Sequence, residues 1–234
     1  LYAHPEIRDS VRRGLAPIGE ILMSQLANED AVFGVDSVPF LAASYDDAKK
    51  LWDASRDEVT ARLAEQGLTL LFAVPWPGQS LYLTEEVTSL EQMKGVSFRA
   101  YNTATERLAQ LMGAVPSTGV SSQAWDFVSH YIDTQAWLPK NMVFVNTSAF
   151  EALSEAQQQA LFEASAMAEA RGWQMSLAET EEKIAILKEN GMQVSAPSEE
   201  LARGLREIGE TMADEWRASA GDVGAAILSA YSAR

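Results

Sequence analysis

The sequence contains no cysteine and only two histidines. The first absence removes disulfides, thiol nucleophiles and thiolate metal sites together, and it suits a protein that is exported unfolded and folds without oxidative help. The second leaves His4 and His130 as the only imidazole bases, far apart and in no metal spacing of the His-Glu-x-x-His kind. His4 precedes Pro5 and His130 closes a short amphipathic run, so both read as ordinary surface or interface residues. Cations are scarce as well: 18 lysines and arginines stand against 33 acids, a formal charge of −15. Such a chain is a poor partner for phosphate backbones or anionic lipid, so no nucleic-acid or direct membrane role is expected. The longest apolar runs, Leu68 to Pro77 and Met142 to Val145, fall well short of the ~20 residues that span a bilayer. No phosphate loop, Gly-x-Gly-x-x-Gly or Gly-x-Ser-x-Gly motif is present. An enzyme without a base beside a nucleophile or a metal is a weak reading, and no metal or cofactor is expected. The chain starts at Leu1 without methionine or a leader pattern, so either a leader has been removed or the start of the protein lies outside it.

What is present is enough for one large core or two modest ones: 234 residues, 47% hydrophobic and 22% charged. Helical spacing predicts a helix over 4–13 ended by Gly14, then a short strand over 15–20 and a helix over 21–26. Ser44 or Tyr45 opens a helix with Ala48, Leu51, Trp52 and Ser55 on one face, and a second helix is expected from Asp57 to Gly67. Leu68 to Val74 is nearly continuous in apolar character, as in a strand buried on both faces of a parallel sheet. A helix over 103–112 ended by Gly113, one over 124–131 and an apolar strand over 141–146 follow. From Ser154 the pattern is helical to Asn190, which at about 1.5 Å per residue exceeds 50 Å, with Gly172 as its weak link. A further helix is expected over 199–219.

Within this alternation, the run Lys94-Gly95-Val96-Ser97-Phe98-Arg99-Ala100-Tyr101-Asn102 places Arg99 where a strand hands over to a helix, a position that commonly holds anionic ligands. Locally, Arg99 reads equally as a solvated or salt-bridged arginine. Glu20 stands at a strand end, either facing what such ends face or serving as a first-turn acid. Pro75-Trp76-Pro77-Gly78-Gln79 and Gln135-Ala136-Trp137-Leu138-Pro139 are two aromatic, proline-broken connections, turns or crossings between lobes, whose tryptophans can serve as core or as lid.

Together these pieces resemble the periplasmic solute-binding proteins of tripartite ATP-independent periplasmic (TRAP) transporters, the DctP-like family. Met93-Lys94-Gly95-Val96-Ser97-Phe98-Arg99 is similar to the family's Leu-Lys-Gly-x-Lys-x-Arg signature, and Pro39-Phe40-Leu41 to its Pro-Phe-Leu element. Phe150-Glu151-Ala152-Leu153-Ser154 resembles its aromatic-Asp-x-Leu helix start, and the helix that follows resembles its long lobe-spanning helix. The resemblance implies an α/β, two-lobed periplasmic binding protein, type II-like, with N-terminal and internal segments (near 116–117) absent from this sequence. Residues 1–76 and 144–185 would form lobe I, and 77–143 and 186–234 lobe II. It also implies a monomer that captures a small organic acid and delivers it to TRAP permease subunits. Arg99 would pair with the ligand carboxylate, with Asn102 as a polar contact three residues on. Gln79 falls where many members carry a second arginine, which argues against a second strongly anionic group on the ligand. Trp76, Trp137 and Glu20 complete the expected pocket. The alternatives are the same fold binding a small amine through aromatic and acidic groups, Glu20 or Asp36, and a helical scaffold or chaperone.

Overall fold

A computed structural model describes residues 2–117 and 126–234. In chain order the elements are α1 (Ile7–Arg12), β1 (Ile18–Leu22), α2 (Tyr45–Glu65), β2 (Leu68–Pro75), β3 (Leu81–Leu83), β4 (Ser97–Arg99), α3 (Thr103–Met112), β5 (Val115–Ser117), β6 (His130–Ile132), β7 (Lys140–Asn146), α4 (Thr147–Glu151), α5 (Glu155–Glu189), β8 (Gln193–Ser195) and α6 (Glu199–Ser232). Short 3₁₀ turns at Met23–Leu26, Ala31–Ser37 and Leu90–Met93 join them.

The strands form three small sheets. β1, β7 and β2 make the first, in that order. The nearly unbroken apolar run of β2 is covered by α2 and α5, as a strand buried on both faces should be. Its partner corrects the expected parallel pairing: β7 runs antiparallel to both β1 and β2, with an irregularity between Leu70 and Phe72. Continuous apolar character reports burial on two faces, and helices impose that on an antiparallel strand equally well. β2 is an edge strand, and α5 crosses it closely. Glu169 Oε2 accepts from the Ala73 N–H at 3.2 Å, while Trp173 Nε1 donates to the Ala73 carbonyl at 3.1 Å. Two side chains thus satisfy the peptide groups that a neighbouring strand would otherwise pair.

The second sheet has the order β3-β6-β8, with β6 antiparallel to β3 and parallel to β8, and β4 pairs with β5 in parallel. The helix expected over 124–131 is corrected where it can be seen: Asp126 is assigned to a 3₁₀ turn, 127–129 are not helical, and His130 and Tyr131 belong to β6. Residues 124 and 125 lie outside the described set. Tyr131 is buried edge-on against Tyr82 of β3. The β-propensity of His-Tyr-Ile and its cross-strand partners prevail over a weak helical spacing.

The helices follow their sequence signals more closely. Ser44 caps α2 by accepting from Asp47 N–H, Asp46 and Asp47 lie in the first turn, and Gly67 follows its end at φ 74°. The two helices expected over 44–67 are one, because Ser55 turns inward and donates to the Leu51 carbonyl at 2.8 Å instead of capping a new start. α3 begins at Asn102, whose side chain accepts from Thr105 N–H, and ends at Gly113 in the left-handed region. α5 opens on a Ser154/Gln157 capping box and runs from the first sheet to β8 of the second, about 50 Å at 1.5 Å per residue. Gly172 is its closest approach to the sheet: a Cβ there would lie 2.5 Å from Val74 Cγ2. α6 also spans both sheets. Its cap Ser198 donates to the Thr88 carbonyl beside the second, and its last turn packs on α2, with the Tyr231 hydroxyl on the Leu41 carbonyl. The expected end near 219 matches a break at Gly221 (φ 61°, ψ −143°), after which helical geometry resumes to Ser232.

The main apolar cluster is continuous from Val11, Ile21 and Phe33 through Leu81, Met93 and Leu108 to Ile227, so the halves share one core across their junction.

Candidate ligand-binding cleft

The segment before β7 is the hub of the site. The Ala136 N–H donates to the Gln79 carbonyl at 2.7 Å and the Gln79 N–H to the Trp137 carbonyl at 2.9 Å, which ties the two aromatic crossings together. The Trp76 N–H donates to the Pro139 carbonyl, and the Phe40 N–H to that of Ala136. The Gln79 side chain donates to the Pro77 carbonyl at 3.0 Å. Trp76 is 50% exposed and donates through Nε1 to Asn141 Oδ1 at 2.9 Å, and Asn141 Nδ2 donates to Glu20 Oε1 at 2.8 Å. Trp76, Asn141 and Glu20 are therefore one exposed network at the end of the first sheet. Trp137, by contrast, is 6% exposed and donates through Nε1 to the Tyr101 hydroxyl at 3.0 Å.

A cleft of about 610 Å³ lies between the first sheet's 3₁₀ turns and the start of α3. Neutral polar side chains, Ser24, Gln25, Asn28, Ser37 and Asn102, are prominent in its wall, together with Tyr101 and Thr103. Three consecutive residues bridge from the α3 side. Tyr101 accepts from Trp137, Asn102 Nδ2 donates to Ser24 Oγ at 3.3 Å, and Thr103 Oγ1 donates to Asn28 Oδ1 at 3.2 Å. Arg8, the cation in the wall, is engaged by Glu29, Asp9 and Gln66. His4 also lines the cleft, against Gln25.

Of the six residues singled out from sequence, Asn102 lines this cleft. Arg99 is not among the residues lining the cleft; it stands at the exposed end of β4, two residues before Tyr101, and its side chain has no hydrogen-bond or ion-pair partner among the described residues. Its charge acts on the Tyr101 hydroxyl. Trp137 and Gln79 reach the site through the hub, and Trp76 and Glu20 through Asn141. Sequence reasoning passed over Tyr101, although it lies two residues beyond Arg99, the spacing that returns an extended chain to the same face. It also passed over Asn141, read only as the start of a strand.

Asp36, considered from sequence as a partner for an amine, is directed inward instead. It is fully buried with Lys140: Oδ2 accepts from the Lys140 N–H at 2.7 Å and lies 3.9 Å from Nζ, while Oδ1 accepts from Ser37 Oγ at 3.2 Å. Lys140 Nζ also donates to the Leu138 carbonyl and lies 5.7 Å from the Trp173 ring centroid. Burial pushes the Asp36 carboxyl up and the Lys140 ammonium down, each opposed by the other's charge. The Tyr101 hydroxyl is pushed up to about 12, chiefly by burial; its bond from Trp137 and the charge of Arg99 oppose the rise and Asp36 adds to it. Tyr101 is therefore a neutral phenol at any physiological pH.

The sequence profile of the bacterial extracellular solute-binding proteins, family 7 (DctP), matches residues 1–124 and 119–219. The chain belongs to this family. Three solved structures of TRAP solute receptors are similar over nearly all of it. DctP7 of Bordetella pertussis, an extracytoplasmic solute receptor binding pyroglutamic acid, is 41% identical, with a TM-score of 0.92 over 99% of this chain and 85% of that one. DctP6 of the same organism, also binding pyroglutamic acid, is 39% identical, with a TM-score of 0.94 over 100% and 86%. A marine metagenome TRAP solute-binding protein specific for pyroglutamate is 38% identical, with a TM-score of 0.91 over 100% and 85%. A comparison with curated proteins gives no match. The family and its structural neighbours are solute receptors, not enzymes, and the fold is the two-lobed α/β fold of TRAP receptors. The family is extracytoplasmic, and among the described residues no helix is long and apolar enough to cross a membrane.

Proposed function

We propose that this family 7 protein is the periplasmic receptor of a TRAP transporter, holding a small monocarboxylic acid through the Arg99 guanidinium and passing it to the membrane permease subunits. The observation that carries this reading is an exposed arginine at a strand end whose side chain has no partner among the described residues, two residues before Tyr101 of a polar cleft between the two halves. A planar guanidinium offers a carboxylate two parallel hydrogen bonds, which a lysine cannot reproduce. Gln79, neutral and turned onto the Pro77 carbonyl, supplies no second cation, which suits a ligand with one carboxylate. The neutral hydroxyls and amides of the cleft suit a ligand body that is polar but uncharged. A five-membered lactam acid such as pyroglutamate meets these requirements, and it is the ligand of the three receptors 38–41% identical to this chain.

The two lobes we assign to residues up to Trp76 with the stretch to 185, and to the intervening crossing-to-crossing segment with 186–234. β7 lies wholly in the first sheet, so the return crossing falls before Lys140 rather than between 143 and 144. A second reading, a small amine held by Glu20 and Trp76, rests on their exposed network through Asn141. Calorimetry separates the two. Pyroglutamate should bind, Arg99→Lys should weaken it by about tenfold or more, and Arg99→Ala should remove detectable binding. Unchanged affinity in Arg99→Ala rejects the arginine anchor, and binding of small amines in place of acids favours the second reading.

A further inference from the structure

Tyr101 carries a hydrogen-bond donor that no acceptor among the described residues uses. A phenol has one proton to give and two lone pairs. Trp137 Nε1 occupies one lone pair, at 3.0 Å, and no acceptor among the described residues takes the proton. Tyr101 is 43% exposed and is held at two points. The Tyr101 N–H donates to Thr105 Oγ1 at 2.9 Å, inside the cap that starts α3, and Trp137 is buried with its backbone held by Gln79. Tyr101 lines the cleft two residues beyond Arg99, whose charge acts on its hydroxyl. A donor that no acceptor among the described residues satisfies, two residues from a cation without a partner among them, is what an anionic or carbonyl oxygen requires.

We propose that Tyr101 is a further ligand-contacting residue that determines specificity by giving its hydroxyl proton to an oxygen of the bound acid, with Trp137 as the positioning residue that aims it. The inference rests on the acid-binding reading above. It adds a preference for a ligand that presents an acceptor oxygen to this hydroxyl, since only an acceptor can take the proton. It also ties recognition to closure, because Trp137 belongs to the crossing that joins the halves.

The test is calorimetry of the wild type, Tyr101→Phe, Trp137→Phe and Arg99→Ala with pyroglutamate, lactate and gluconate, alongside melting temperatures with and without each acid. Tyr101→Phe keeps the ring and should melt normally without ligand, yet bind the preferred acid about tenfold or more weakly and show a smaller rise in Tm on adding it. Trp137→Phe should show a smaller loss in the same direction, because the donor remains but is no longer aimed. If Tyr101→Phe binds within about twofold of wild type while Arg99→Ala fails to bind, the Tyr101 contact is refuted and the anchor stands. Weakening by Tyr101→Phe with Arg99→Ala unaffected supports Tyr101 and overturns the anchor. Failure of the wild type to bind any of the three acids overturns both.

Discussion

Replacing Lys140 by methionine strips the buried Asp36 of its ammonium partner while leaving its hydrogen bonds from Ser37 and from the backbone N–H of residue 140. Both side chains are 1% exposed, so water cannot take the place of the lost ammonium. Removing one partner of such a pair destabilises by about 3–5 kcal/mol. The two surviving hydrogen bonds place Lys140→Met at the lower end. Near 3 kcal/mol, and at about 2–4 °C per kcal/mol for a chain of this size, Tm should fall by roughly 6–12 °C. The double variant Asp36→Asn/Lys140→Met removes both desolvated charges and keeps an acceptor for the backbone N–H. It should recover to within about 1 kcal/mol of wild type, as buried pairs commonly do when replaced together. The pH dependence has a fixed sign. Burial raises the folded Asp36 pKa above its ordinary value, and loss of Lys140 raises it further. Above pH ~3.8 the folded state then binds the proton more tightly than the unfolded chain, so the stability of Lys140→Met should fall as pH rises from that point through the folded pKa, and mild acid should narrow its deficit. Urea melts of the wild type and both variants at several pH values measure all three effects. A single variant within 1 kcal/mol of wild type, or a double variant as poor as the single, would refute this account.

Two further expectations concern α5 against the first sheet. Gly172→Ala improves intrinsic helix propensity by about 1 kcal/mol, yet it should lower stability by about 1–3 kcal/mol, because the new methyl meets Val74 Cγ2 at 2.5 Å. A rise in the urea midpoint would sink that argument. Glu169→Ala leaves the Ala73 and Trp52 N–H donors unsatisfied and Arg56 unpaired, so a loss of about 3 kcal/mol is expected. Glu169→Gln, which keeps one acceptor oxygen, should lose less; equal losses in the two variants would count against hydrogen bonding as the cause.

How much of this was legible in the sequence depended on whether the signal was local. Caps and periodic faces are local, which is why α3, bounded by Asn102 and Gly113, and α5, opened by Ser154 and Gln157, lie where the spacing put them. The direction of β2's partner was not local: its apolar run reports covering helices and is silent about which strand lies beside it. The same division holds in the site. Arg99 was marked by a motif and Asn102 by a cap, but the buried destination of Asp36 depends on Lys140, over a hundred residues away. The free proton of Tyr101 could be recognised only once Trp137 was seen to fill its lone pair.

The strained backbone of the molecule gathers at the same hub. Among the described residues two non-glycine residues have positive φ, Phe40 at 61° and Gln135 at 40°. Such conformations cost on the order of 1–3 kcal/mol each and persist where the surroundings over-determine them. Both adjoin one junction, the hydrogen bond from the Phe40 N–H to the Ala136 carbonyl, whose other side is held by Gln79. Gly78 makes room there, since a Cβ on it would lie 3.2 Å from Gln135 Cγ, and a Cβ at Gly209 of α6 would meet Phe40 Cβ at 2.7 Å. The Pro39-Phe40-Leu41 element is therefore a wedge between the crossing and the long C-terminal helix, pinned further by Tyr231 on the Leu41 carbonyl. If the two halves move against each other around a ligand, the change in backbone angle must be absorbed in the crossings, because α5 and the shared core are continuous through the junction. The strained residues lie at those crossings, beside the tryptophan that aims Tyr101. A shift at the junction would therefore move Trp137 and the ligand-facing hydroxyl together, which links the geometry of closure to recognition of the acid through a single indole hydrogen bond.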